Sequence, residues 1–205
     1  MGDVTASPTL DVSPTPAVSL AADPDEILSL AILAIRRDRG ALVTVLEQLS
    51  IPAYVTDPDG LVVAFNRPCI DFAGRTPIAG QDRWCVTWRL YDEKGTPLAH
   101  EACPMAVAIQ RRRPVRGVVA VAERPDGTRV LFIPYPTPIF DSDGSLIGAI
   151  NLLIDVTDRR QADALLAQAQ RSRRLAHSIM DQRTIDTLML MANEYEEKAG
   201  TLSGR

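Results

Sequence analysis

The chain has 205 residues, a formal net charge of −4, 46% hydrophobic residues and 23% charged ones, enough for one domain of ordinary size with flanking elements. The weakly acidic balance provides no general attraction to nucleic acid or acidic membranes, and no stretch holds the roughly 18 to 20 apolar residues that span a bilayer. With no basic, apolar leader the sequence predicts a cytoplasmic protein, and Cys69, Cys85 and Cys103 are too few and too unevenly spaced for a disulfide framework or a zinc site.

Residues 1–22 are rich in Ser, Thr, Pro and Ala and read as a disordered tail. Helix signals begin at Asp23, which can cap, with Pro24 at the first helical position and Glu26 three residues after the cap. The apolar Ile27, Leu28, Leu30, Ile32, Leu33 and Ile35 cover more of the helix circumference than one sheet requires, so 23–50 is read as a helical cap and dimerisation segment. Gly40 breaks or bends it, and Leu42, Val45, Leu46 and Leu49 continue an apolar stripe up to Pro52.

From Pro52 the period changes. AYVTD, the turn Pro58-Asp59-Gly60 and LVVAF predict a first hairpin, and Asn66 opens a short helix that Gly74 ends. Residues 75–100 read as short helices and loops around the run Trp84 to Leu90, and a clearer helix is expected from about Glu101 to Arg111. Three strands follow, Val115 to Ala122, Thr128 to Ile139 and Ser145 to Val156, joined by tight turns at Pro125-Asp126-Gly127 and Asp143-Gly144. Pro134, Pro136 and Pro138 remove ladder donors around Tyr135 and predict an edge position or a departure from the sheet. The order gives an α+β fold over 51–157, a five-stranded antiparallel sheet with short helices on one face. A helix from Thr157 to about Ser178, with Ala162, Leu165, Leu166 and Ala169 on one side, and a last helix after Asp181 make an αα-hairpin over 158–200.

Three segments carry a resemblance to a known family: IPAYVTDPDGLVVAFNRPCIDFAGR, HEACPMAVAIQRRRPVRG followed by ERPDGTRVLFIPYPTP, and GSLIGAINLLIDVTDRR. Their joint order resembles the PAS fold over about residues 42–160, and is similar to PAS domains of bacterial sensor proteins, including those ahead of histidine kinases. The resemblance implies a bacterial source and a non-catalytic sensory and protein-interaction module. It also implies a cavity on the helical side of the sheet that holds haem, flavin, a small metabolite or nothing. A change there would pass through the last strand into the following helix.

At that junction the resemblance assigns Asp155, with Thr157, to a contact with Arg159 or Arg160; the alternative is that Asp155 or Thr157 merely caps the helix. Candidate cavity positions are Val63, Phe65, Phe72, Trp84 and Trp88 in the first half. In the second half they are Met105, Ile109, Val121, Phe132 and Ile150, and ordinary core packing accounts for all ten equally well. The cofactor is left unknown, none included. The alternative function is a haem- or flavin-binding redox or gas sensor, with His100, which precedes its helix rather than lying on it, and Cys103, in the short match Cys103-Pro104, as its cofactor candidates. Cys69 in NRPCIDF lacks the Asn-Cys-Arg-type motif of flavin photosensors, and His177 lacks the surroundings of a phosphoacceptor. No nucleophile, base and orienting group stand together in the sequence, which argues against an enzyme. The expected partners are a second copy, a small-molecule ligand and a separate effector such as a histidine kinase, because the residues after Asp158 leave no room for a kinase domain; neither nucleic acid, membrane nor metal is expected.

Overall fold

The computed structural model describes residues 23–203, so the tail expected over 1–22 lies outside the described residues. Helix α1 (Pro24–Arg37) starts as its sequence dictates: Asp23 Oδ1 accepts the Asp25 N–H at 3.0 Å, Pro24 takes the position that needs no donor, and Arg36 and Arg37 face the negative end of the dipole. A 3-10 turn at Arg39–Ala41, around Gly40, separates it from α2 (Leu42–Glu47). Strands β1 (Ala53–Thr56) and β2 (Val62–Phe65) form the first hairpin, and Asp57 Oδ1 holds the turn by accepting the N–H groups of Asp59 (2.9 Å) and Leu61 (2.8 Å). Helix α3 (Arg67–Ala73) is capped by Asn66 and stopped by Gly74 at φ 63°.

After α3 come β3 (Arg89–Asp92), β4 (Pro97–Leu98), a 3-10 turn at His100–Ala102 and α4 (Pro104–Arg111). The chain continues through β5 (Ala120–Glu123), β6 (Arg129–Pro134), β7 (Thr137–Phe140) and β8 (Leu146–Asp155), then α5 (Thr157–His177) and α6 (Gln182–Ser203). The antiparallel sheet has the order β2-β1-β8-β6-β5-β3-β4, and β7 also pairs with β8. One edge of β8 meets β1 through 149–152; the other meets β7 through 146–150 and β6 through 153–155. The expected antiparallel α+β arrangement is present, with β3 and β4 as additions. Strand β3 is held by partners distant in sequence, since Arg89 and Arg129 both reach Glu123 and the Arg129 guanidinium lies 4.4 Å from the Tyr91 ring centroid, and β4 is a two-residue edge strand paired to β3 alone.

Two expected strands are corrected. The strand predicted from Val115 starts only at Ala120, because Gly117 takes φ 71° and the Val115 N–H leaves the ladder to bond Pro136 O at 3.2 Å. The strand predicted over 128–139 is split into β6 and β7 at Tyr135-Pro136, where the Tyr135 N–H donates to Leu152 O (2.9 Å) and Asn151 Oδ1 (2.8 Å). The prolines bend the strand without detaching it.

Strand alternation sorts the core onto two faces. Tyr54, Val62, Ala149 and Leu153 face an inner cluster with Phe72 of α3 and Met105 and Ile109 of α4; Ala53, Val55, Ile150 and Leu152 face an outer cluster with Ile27, Leu28, Ala31 and Ile35 of α1 and Leu46 of α2. Each fully buried leucine on this outer face is worth about 1.5 to 3 kcal/mol, so the N-terminal helices are integral to the fold. The two longest helices form the expected αα-hairpin. Its buried seam is Ala162, Ala169, Ser172 and Ala176 against Ala192 and Ala199, small residues that let the helices approach closely. Arg173 forks onto Glu196 across it, joining the basic run 171–174 of α5 to the acidic last turns of α6.

Asn66 is fully buried and joins four segments. Its amide nitrogen donates to Leu46 O (3.1 Å), Leu49 O (3.1 Å) and Ile51 O (2.8 Å), while its oxygen accepts from Ala53 N–H (2.9 Å) and Cys69 N–H (3.3 Å). Replacing it with alanine leaves several buried backbone groups unpaired and removes the cap of α3. We expect Asn66→Ala to lower the unfolding free energy by about 3 kcal/mol or more, read from urea denaturation; a loss under about 1 kcal/mol contradicts the assignment.

Candidate functional site

The end of β8 is built into α5 by three short contacts. Asp155 Oδ1 accepts the Thr157 N–H at 2.8 Å, the Val156 N–H donates to Leu131 O at 2.9 Å, and Thr157 Oγ1 accepts the Leu131 N–H at 2.9 Å. Asp155 thus acts on the first turn of the helix, where its charge also meets the positive dipole end. The basic partner expected for it is engaged elsewhere: Arg160 lies one turn further on and pairs with Glu93 in the β3–β4 turn at 3.1 Å, and Arg159 is exposed on the same turn. Both Arg160 and Glu93 are about half exposed, so the pair is worth at most about 1 kcal/mol. Leu131 and Glu93 were missed because both contacts cross long sequence separations.

Of the ten candidate cavity positions, Phe72, Met105, Ile109 and Phe132 enter the inner cluster, and Phe65 and Trp84 pack against it. The other four do not face it. Val63 and Trp88 are exposed, Val121 points away between inward Ala120 and Ala122, and Ile150 belongs to the outer cluster under α1. For Val121 and Ile150 the cause is parity along the chain, which reverses the face at every step.

The inner cluster centres on polar and sulfur groups, of which only Cys103 stands among the candidates read from the sequence. The Tyr54 hydroxyl donates to Trp84 O at 2.9 Å and accepts from Asn151 Nδ2 at 3.1 Å; the Cys103 thiol points to the same Trp84 carbonyl at 3.8 Å, and Cys85 Sγ lies 3.1 Å from Thr87 Oγ1. Trp84 carries φ 66°, rare for a bulky side chain, and its ring lies so close over Gly60 that a Cβ there would sit 2.1 Å from Cε3. Trp84 thereby fastens the 75–88 segment to the first hairpin.

Tyr54, Phe72, Met105 and Phe132 fill the space between helices and sheet, with the rings of Phe72 and Phe132 edge to face at 5.1 Å. His100 lines a shallow surface cleft with Trp88, Leu90 and Leu98, and burial lowers its pKa. Among the described residues no group of three or more His, Cys, Asp or Glu is placed to hold a metal ion, and no helix is long and apolar enough to cross a membrane.

Burial pushes the thiols of Cys69 and Cys85 up, and that of Cys103 to about 12; burial likewise raises Tyr54, helped by the neighbouring Cys85 and Cys103. Such thiols stay protonated and are poor nucleophiles at neutral pH. In the unfolded chain they ionise near pH 9. The folded values lie higher, so this stabilisation is complete below pH 9 and is lost as the pH rises towards the folded values. Each thiol then removes about 1.4 kcal/mol per pH unit. The urea midpoint should therefore fall as the pH rises above about 9, and less steeply in Cys69→Ala; equal slopes refute the effect.

The chain matches the family described as the PAS fold over residues 46–161. No curated protein matches it. Among solved structures, it is similar to the Rhodobacter sphaeroides LOV protein, at 13% identity and a TM-score of 0.45, over 82% of this chain and 98% of that one. It is also similar to the LOV domain of the Erythrobacter litoralis blue-light activated histidine kinase, at 19% identity and a TM-score of 0.39, over 52% and 96%. An RNA-binding light-oxygen-voltage receptor aligns at 20% identity and a TM-score of 0.43, over 85% of this chain and 43% of that one. With the family match covering more than half of its length and the sheet, flanking helices and strand-to-helix junction in place, the chain belongs to the PAS fold family.

Proposed function

We propose that the chain is a non-catalytic sensory and protein-interaction module of bacterial signal transduction, acting in the cytoplasm. The observation that carries this reading is the continuous run from β8, which pairs with β1, β6 and β7, into the long helix α5. In this reading, residues 51–157 sense, 158–200 carry the output, and Asp155, Thr157, Arg159 and Arg160 form the signalling junction. Ligand or partner binding shifts the geometry of β8, and the Thr157–Leu131 contacts pass that shift to α5.

The output is contact with other protein rather than nucleic acid. Residues 23–50 act as a helical cap and dimerisation segment, since Leu30 and Leu33 project from the side of α1 away from the sheet with 59% and 66% exposure. On the hairpin, Leu166, Leu175 and Leu190 are likewise exposed and offer apolar contacts to a separate effector such as a histidine kinase.

Two measurements test this. Sedimentation of the double variant Leu30→Glu, Leu33→Glu should show dimer dissociation at least about tenfold weaker binding than the parent, with unchanged thermal stability; a parent that is monomeric removes the dimer. In Thr157→Val, amide exchange over residues 157–165 should rise about fivefold while the sheet stays protected, and exchange there should no longer respond to a bound partner. A variant that still responds like the parent removes Thr157 from the relay.

A further inference from the structure

Helix α4 has a second working face. Met105, Ala106 and Ile109 point into the inner cluster, whereas Pro104, Val107 and Arg111, spaced i, i+3 and i+7, line a cleft on its other side. The opposite walls are Leu98 and Asp92 of the β3–β4 hairpin and the segment 115–119, which is free to form a wall because it does not join β5. The cleft measures about 310 Å³, the size of a small-molecule site.

Its lining is chemically specific. Val107, Val115, Val118 and Val119 make an aliphatic surface, and one group of each charge stands with them. Asp92 is fixed in place, since its Oδ1 accepts the N–H groups of Lys94 (2.9 Å) and Thr96 (2.8 Å), and these bonds, that of Thr96 foremost, keep it ionised. Arg111 is exposed and supplies the positive charge. A simple fatty acid would leave Asp92 facing an anion, and a simple amine would leave Arg111 facing a cation. A ligand bearing both charges on an aliphatic body satisfies the whole lining.

We propose that this cleft binds a small zwitterion with an aliphatic side chain, an apolar amino acid, with its ammonium group towards Asp92, its carboxylate towards Arg111 and its side chain on the valines. The wall that holds Asp92 also carries Glu93, the partner of Arg160 in α5. A ligand seated on Asp92 therefore acts on the turn against which the output helix leans. This last step rests on the sensory reading above; binding itself does not.

Calorimetric titration of the full chain with leucine tests the site, beside 4-methylpentanoate, which lacks the ammonium, and 3-methylbutylamine, which lacks the carboxylate. Leucine should bind at least tenfold more tightly than either analogue, and Arg111→Gln, a change at an exposed position, should weaken leucine about tenfold with the circular dichroism spectrum unchanged. Absence of leucine binding up to about 10 mM, or equal affinity in Arg111→Gln, overturns the site. Leucine binding that leaves amide exchange in α5 unaltered upholds the site and overturns the relay.

Discussion

A single buried amide sets the terms on which the N-terminal helices meet the sheet. Where α2 ends and the chain turns into β1, the carbonyls of Leu46, Leu49 and Ile51 converge on one amide, and that of Leu46 also accepts the Leu49 N–H at 3.0 Å. Only a short side chain with both donor and acceptor capacity satisfies them and still accepts from Ala53 and Cys69, and Asn66 is that side chain. Aspartate has the acceptors but no donors, and would bring an unpaired charge into the core. Because the same residue caps α3, the outer helices and the inner face are registered to one another through one group.

The sheet is held with similar economy. Gly148 brings β8 so close to the first hairpin that a Cβ would lie 2.1 Å from Thr56 O, so the backbone itself forms the contact. On the other edge Arg116 gathers the corner between β6 and β7: it donates to Pro136 O at 3.1 Å and Thr137 Oγ1 at 2.8 Å, and its Nε reaches Asp25 of α1 at 2.9 Å. Its guanidinium also lies over the Tyr135 ring at 5.3 Å. The proline-rich corner that weakens the ladder is thus tied to the helix covering the sheet.

What the sequence disclosed follows the range of the interactions involved. The start of α1, the span of α3 between Asn66 and Gly74 and the start of α5 at Thr157 are governed by caps whose partners lie within three residues, and they were legible. Strand β3 depends on Glu123 and Tyr91 meeting Arg129 across the sheet, and no local pattern announces that. Among the candidate cavity residues, large side chains were favoured. Parity decides the face, however, and the inward positions of β5 are occupied by the small Ala120 and Ala122. Tyr54 reads locally as an ordinary strand aromatic; its part as a polar pivot exists only once Trp84 O and Asn151 are brought to it.

The length of α5 gives its first turn a mechanical meaning. Twenty-one residues at a rise of about 1.5 Å each make an arm of roughly 30 Å, anchored at one end by the hydroxyl of Thr157 and stiffened along its length by α6. A reorientation of only about 5° at the anchor sweeps the far tip by nearly 3 Å, about half a helical turn. Displacements at the sheet too small to disturb its packing are enlarged to the scale at which side chains on a neighbouring surface exchange partners.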